Sequence, residues 1–396
     1  MDENKFRAEF SKKSVFRQVS SLDLSYVPEK LYCRDEVVTE LIHNFRRIVD
    51  EDEQPSMNVL IHGKGGVGKT VISRFFGKNF NKIALEKNTQ IFIEYFNCIN
   101  FRSKSKIVRE LLGKYTHGSG RGFSDDEAIK LILSQLIRDN GYMLLIIDEV
   151  HLLTPKEVWA ILDIAETFGH QNAKLSILII SRTKDWMRIE TERILSRLNS
   201  KIKLNPYNIG EAKQILQYRS DIALKDGVIN EDIIEMIAQI VVDHENMRHG
   251  IEILRRCGLV ADKEGYNSIS ADMVREASNE VYPTFRGDIV DELNDQELLA
   301  LYGIAQSLKN QNTPYTIVEG AYEEYRAICE TYNIEIHVKM SYRKYIRHLN
   351  QMKIISSKTV RIDEDKRGRH LEITLLDIPQ NKLLEILNKI FDKKFK

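Results

Sequence analysis

Three groups of side chains in this chain of 396 residues have types and spacing suited to phosphate chemistry or to holding a polyanion. The first is Gly63-Lys64-Gly65-Gly66-Val67-Gly68-Lys69-Thr70-Val71, a G-x-x-x-x-G-K-T loop. Its glycines permit positive φ and keep side chains away, so successive backbone N–H groups can point into one concavity. Set at the N-terminus of a helix, that concavity holds phosphates. Lys69 would reach the β- and γ-phosphates of ATP, and the Thr70 hydroxyl would bind Mg²⁺. The second group is the carboxylate pair Asp148-Glu149, closing the apolar run Met143–Ile147. Asp148 would share the Mg²⁺ with Thr70, and Glu149 would orient and polarise the attacking water. The third is basic. Between His337 and His370, ten Lys and Arg stand against three acids, a local excess of +7 in a chain of zero net charge. Tyr342, Arg343, Lys344 and Arg347 offer hydrogen bonds and cations to bases and phosphates. Lys358 and Arg361 follow on a strand, and Arg367 and Arg369 fall at a hairpin tip, where a minor groove would meet them.

These residues need elements to position them. Short apolar runs at Val59–Ile61, Ile91–Phe96, Met143–Ile147, Leu175–Ile180 and Ile202–Leu204 alternate with helical patterns. That alternation predicts a parallel sheet with helices on both faces. The loop then joins the first strand to a helix reaching about Phe80, and both carboxylates leave the carboxyl end of the third strand, where parallel sheets bind ligands. Apolar residues recur at helical spacing in Ile209–Leu224, Glu231–Val242, Met247–Ala261 and Ala271–Val281, which predicts a small helical domain. Residues 283–295 read as a linker. Beyond it, 295–309 is an amphipathic helix, Thr316 and Glu319 form a capping box for a second helix to about Tyr332, and Ser341 caps a third over 342–352. Strands at 353–362 and 370–376 complete a winged helix, whose third helix is the one that enters a major groove. The predicted divisions are a flexible tail at 1–20, an α/β domain at 21–204, a helical lid at 205–283 and a winged helix at 284–396.

Composition excludes several classes. Hydrophobic residues make up 42% and charged residues 29%, as in ordinary globular domains. No run approaches the length of a membrane span, and the polar start MDENKFRAEFSKK is no signal peptide. Cys33, Cys98, Cys257 and Cys329 are scattered, which argues against a zinc site or disulfide framework and fits a reducing cytoplasm.

The string KGGVGKT is similar to the loop of partition and MinD-like ATPases, in which the leading lysine, here Lys64, acts in trans. Those proteins carry the loop near the N-terminus, follow it with a second Thr and lack the Asp-Glu strand end. Here Val71 follows Thr70, and Lys64 reads as an exposed loop residue. A different order of motifs resembles the AAA+ ATPases: the loop, Asp148-Glu149, the segment ERILSRL (192–198), and Arg248 at the start of a helix in the helical domain. The resemblance implies that Arg193 or Arg197, four apart on one helix face, supplies a finger to a neighbouring subunit's ATP, and that Arg248 touches the γ-phosphate of its own.

Upstream, LSYVPEKLYCRDEVVTELI (24–42) looks like the opening of archaeal initiators of the origin-recognition and cell-division-control (Orc/Cdc) family, as does the lid entry NPYNIGEAKQIL (205–216). The likeness runs from about residue 20 to the C-terminus. It implies an AAA+ base, a lid and a DNA-binding winged helix. Val27 and Pro28 would lie against adenine, with Arg34 and Tyr207 nearby. The implied cofactors are ATP or ADP with Mg²⁺. The implied partners are double-stranded origin DNA, paralogous initiator subunits and the replicative MCM helicase, with a second DNA contact somewhere in 100–123. One position departs from the family. IISRTKDW (179–186) places Arg182 where the family has the Asn that holds the hydrolytic water, so slow hydrolysis is expected. Two functions remain open. One is an initiator switched by ATP. The other is an ATP-dependent transcription regulator, or a replication-repressing paralogue, with negligible turnover.

Overall fold

The computed structural model describes residues 14–50, 56–115, 122–168, 174–281, 293–311, 313–352, 354–361, 369–376, 378 and 380–395. They fall into two compact units. One comprises Ser25–Glu211 with Glu245–Met247; the other comprises the N-terminal segment to Leu24, Ala212–His244 and Arg248 onward.

The first unit is built on five parallel strands: β1 (Asn58–Gly63), β2 (Gln90–Asn97), β3 (Gly141–Asp148), β4 (Leu175–Arg182) and β5 (Ser200–Leu204). Their spatial order is β2-β3-β4-β1-β5. All eight residues of β3 are buried, because helices cover both faces of a parallel sheet. Successive side chains point to opposite faces, and the two cores follow that alternation. Leu145, Ile147, Ile177 and Ile179 pack with helices Lys104–Tyr115, Asp125–Arg138 and Pro155–Leu162 on one face. Leu144, Ile146, Leu178 and Ile180 pack with helices Asp35–Phe45 and Lys69–Glu86 on the other. The helix after the phosphate loop runs past the expected Phe80 to Glu86.

The second unit contains the lid helices Glu231–Asp243 and Ala271–Val281, and receives most of Met247–Glu264 and of Ile209–Ala223. Part of the expected tail is not loose. The backbone N–H of Val15 donates to Asp262, Phe16 bridges Leu224, and its ring lies against Gly258. The buried Val15, the half-buried Phe16 and the carboxylate of Asp262 anchor the start of this segment despite its polar composition; residues 1–13 lie outside the described residues.

Helices Asp295–Gln311, Val318–Thr331 and Lys339–Gln351 precede an antiparallel sheet of order β6-β8-β7, with β6 (Thr316–Ile317), β7 (Ile355–Arg361) and β8 (Arg369–Leu375). Neither predicted cap forms. Thr316 pairs with Ile373 in the sheet, and its hydroxyl is 2.6 Å from that of Ser307, while Glu319 instead meets Lys339. Ser341 lies inside a helix whose N-cap is Val338. Sheet pairing and core packing override local capping here. A final helix, Gln380–Phe395, was not anticipated; it buries Leu383, Leu387 and Phe391 in the winged-helix core. The linker residues 282–292, the hairpin tip 362–368 and insertion residues 116–121 lie outside the described residues.

Lid and winged helix are joined by a buried ion. Arg275, with no exposed surface, pairs with Asp272 at 2.9 Å and donates to the Pro314 carbonyl at 3.1 Å. The Thr374 hydroxyl donates to that same carbonyl at 2.6 Å. Lys358 of β7 forms an ion pair with Glu235 of the lid. Burial of Arg275 lowers the pKa of its guanidinium, against the opposing pull of Asp272.

Tyr342, expected at a DNA surface, is completely buried. Its ring lies 5.0 Å from that of Tyr325 and 5.2 Å from that of Tyr322. It shares its helix face with Ile346 and Leu349, and the helical period decides its direction. Its hydroxyl has no hydrogen-bond partner among the described residues. Tyr342→Ala is therefore expected to cost about 3–5 kcal/mol, as for other buried aromatics. Tyr342→Phe, which removes an unpaired buried hydroxyl, is expected to be neutral or stabilising. Denaturant unfolding of the two variants checks both.

Candidate nucleotide site and nucleic-acid surface

The strand order places β4 between β1 and β3, so three strand ends converge on the phosphate loop. Gly63 at the end of β1 lies in register with Arg182 of β4, and Asn97 of β2 with Asp148 of β3. Two glycines of the loop have specific causes. Gly68 has φ +94°, and a Cβ there would meet the Tyr207 hydroxyl at 2.6 Å; Gly66 has φ +74°, and a Cβ would meet the Asn246 side chain. Gly65 is open, and Val67 is buried. Lys69 lies in the first turn of its helix, with Val71 two residues on, and its ammonium donates to the carbonyls of Gly63 at 3.0 Å and Lys64 at 2.6 Å. The Lys64 amine pairs with Glu245, and its side chain is more than half exposed.

Asp148 is the centre of the site. It is 2% exposed, and one carboxylate oxygen accepts both the Thr70 hydroxyl and the Tyr95 hydroxyl, each at 2.6 Å. Its other oxygen accepts the backbone N–H of Glu149 at 2.8 Å. A hydroxyl and a carboxylate side by side are hard oxygen donors, the set that Mg²⁺ takes together with phosphate oxygens. Tyr95 was not foreseen; burial, then Asp148, push its phenol above the usual range. Cys98, whose N–H donates to the Asp148 carbonyl, is pushed up to about 12, by burial first and then by Asp148 and Glu149, so it stays a thiol.

Glu149 takes a left-handed conformation, φ +55°, in the turn after β3. Its Oε2 lies 3.3 Å from His151 Nε2 and 3.5 Å from Arg182 Nε. His151 is also 3.6 Å from Asp185 and 3.2 Å from the Ser181 hydroxyl. Arg182 thus faces the carboxylate expected to activate water, a contact that the motif alone did not suggest.

At the other end of the loop, Arg34 is buried at 8% exposure, with its guanidinium carbon 3.7 Å above the Tyr207 ring. It donates to the Asn205 carbonyl at 2.9 Å and the Val67 carbonyl at 3.4 Å. Burial raises the Tyr207 phenol, and Arg34 opposes it. Pro28 is buried and Val27 half-buried. The structure therefore brings Arg34, Tyr207 and the loop together.

The remaining arginines are placed differently. Arg193 is exposed and stacks 3.6 Å over the Trp159 ring. Arg197 pairs with Asp163 at 2.7 Å and Glu166 at 2.6 Å. The helix carrying Arg193 ends at Leu195, so the two do not share a helix face. Arg248 is exposed in the first turn of Met247–Glu264.

On the winged helix, Arg343, Lys344 and Arg347 are exposed on the third helix and Arg369 at the start of β8. Arg343 is 3.9 Å from Glu319. Lys358, expected to face DNA, is instead engaged by Glu235 of the lid, because β7 packs against that domain. Arg361 closes β7 opposite Arg369; Arg367 lies outside the described residues.

Comparison with known proteins gives three domain matches. Residues 52–184 match an AAA domain, 213–279 the Cdc6 AAA+ ATPase-type lid domain, and 288–385 the CDC6 C-terminal winged-helix domain. The chain is 25% identical over 389 residues to an ORC1-type DNA replication protein of Thermococcus onnurineus, covering 95% of this chain and 92% of that one. It is 26% identical to ORC1-type DNA replication protein 2 of Saccharolobus solfataricus, covering 94% and 92%. Among solved structures, Cdc6p of Pyrobaculum aerophilum superposes with a TM-score of 0.85 at 23% identity, over 97% of this chain and 100% of that one. The Aeropyrum pernix ORC1 protein, solved in complex with DNA, gives 0.60 at 20% identity, over 97% and 100%. These likenesses establish the fold.

Replacing Lys69 with Ala removes a cation whose contacts to phosphate are charge-assisted. At about 1.5–3 kcal/mol per such contact, equilibrium titration is expected to show ATP binding weakened by at least an order of magnitude. Unchanged binding would refute the assignment of the loop.

Proposed function

The chain belongs to the Cdc6/ORC1-type family of AAA+ proteins, and from that premise we propose that it is an ATP-dependent DNA replication initiator. Its winged helix and AAA+ domain bind origin double-stranded DNA, alongside paralogous subunits, and the nucleotide state switches recruitment of the replicative MCM helicase. The observation that carries this reading is the division of the helix Lys339–Gln351. Tyr342, Ile346 and Leu349 are buried, while Arg343, Lys344 and Arg347 are exposed. A helix that buries its apolar face and turns three cations outward suits a polyanion.

At the nucleotide site, Lys69 and the loop N–H groups would hold the β- and γ-phosphates, and Thr70 and Asp148 would hold Mg²⁺. Bound Mg²⁺·ATP supplies an activated γ-phosphoryl group. Glu149 orients the water that attacks it. Arg34 and Tyr207, with Val27 and Pro28, border the base. Arg193, exposed, is better disposed to reach a neighbouring subunit than Arg197, which two carboxylates of its own chain engage. Arg248 is assigned to the γ-phosphate from the lid. A second reading, an ATP-locked regulator with negligible turnover, draws on the Arg182–Glu149 contact. Genomic footprinting separates the two, by occupancy at origins or at scattered promoters.

Hydrolysis by a dilute single subunit is expected to be slow, since an arginine supplied in trans is worth about 10³–10⁵ in rate. Glu149→Gln should abolish what remains, and Arg182→Asn, which removes the cation facing Glu149, should raise it. Phosphate release under steady state measures all three. Rapid turnover by the lone wild-type chain, or full activity in Glu149→Gln, contradicts the assignment.

The full chain should bind duplex DNA with a log K that falls against log salt with a slope of about −4, for roughly four or five phosphate contacts. Arg343→Ala and Arg347→Ala should weaken binding and flatten the slope. Fluorescence anisotropy at several salt concentrations decides this, and a flat titration removes the DNA-binding assignment.

A further inference from the structure

The exposed face of the helix Lys339–Gln351 is not uniformly basic. Met340, Arg343, Lys344 and Arg347 recur at i, i+3, i+4 and i+7, so they lie on one stripe. Met340 is 75% exposed and the preceding Val338 67%, the highest values for large apolar side chains among the described residues. Local stability does not account for them. Val338 is the N-cap and makes no side-chain cap bond, at a position where Ser, Thr, Asp or Asn stabilise a helix and Val does not. Core packing does not account for Met340 either, since the helix turns Tyr342, Ile346 and Leu349 inward.

Resting on the reading that the winged helix binds duplex DNA, we propose that Met340 is a specificity-determining residue that packs against the 5-methyl group of thymine in the major groove. Base edges in that groove present donors, acceptors and one apolar group, the thymine methyl. The residues at the N-terminus of a helix lying in the groove are those that reach base edges, and Met340 is the second residue of this helix. Its neighbours on the stripe are cations, fitted to the phosphates on either side of the groove. Lys339, beside it, is held by Glu319 at 2.9 Å, which leaves Met340 as the side chain projecting at the tip. A thioether on an unbranched chain adapts readily to a small apolar target.

The test uses the full chain and a duplex that it enriches from a random-sequence pool. Each A·T pair of that duplex is remade in turn with deoxyuridine for thymidine, which deletes only the methyl. The wild type is expected to lose about fourfold in affinity at one or two positions, the worth of one buried methyl-sized group, and to be indifferent elsewhere. Met340→Ala is expected to bind the thymine and uracil duplexes equally, with the salt dependence of the wild type. If the wild type is indifferent to uracil at every position, the proposal is overturned. It is overturned equally if Met340→Ala discriminates as the wild type does, which leaves the stripe to a protein partner. If no duplex is enriched and no salt-dependent binding appears, the DNA-binding reading itself fails, and this assignment fails with it.

Discussion

A buried carboxylate makes one demand that organises the α/β unit. Asp148 is almost without solvent contact, and an ionised carboxylate in that position must be met by donors. Thr70, Tyr95 and the Glu149 N–H meet it, and each comes from a different place: the helix after the phosphate loop, strand β2, and the turn beyond β3. Satisfying Asp148 therefore fixes the helix against the sheet and the end of β2 against the end of β3. The contact between Asp148 and Thr70 thus both stabilises the fold and brings together the two hard oxygen donors proposed to hold Mg²⁺.

Much of this was legible in the sequence because its causes are local. The loop declares itself by glycine spacing, and the five strands by apolar runs whose helices alternate with them. Arg34 and Tyr207 came from resemblance and meet as a stacked pair. Tyr95 could not be read this way. It sits mid-strand, and only the pairing of β2 with β3 brings its hydroxyl to Asp148. The Arg182–Glu149 contact likewise depends on β4 lying between β1 and β3. Asn246 was hidden for a similar reason, since it approaches Gly66 from a distant part of the chain.

The winged helix shows where reasoning from residue type fails although the period was available. Tyr342 carries a polar tip and stands beside Arg343, yet Tyr342, Ile346 and Leu349 repeat at i, i+4 and i+7, the spacing of an inward face. Leu383, Leu387 and Phe391 repeat similarly, and the closing helix was there to be found. The capping signals at Thr316 and Ser341 failed for the opposite reason. A cap is worth about 1 kcal/mol, less than the burial and strand pairing that claim Thr316.

Arg275 has a mechanical consequence. Its guanidinium is fully buried between a lid helix and the Pro314 carbonyl of the winged helix. Pulling the two domains apart there would strand a charge, and breaking one side of a buried pair costs about 3–5 kcal/mol, several times the thermal energy. With Lys358 and Glu235 as a second, more exposed contact, lid and winged helix are tied to each other at two points. A rotation imposed on the lid helices would therefore have to move the helix Lys339–Gln351 with them or break that buried pair.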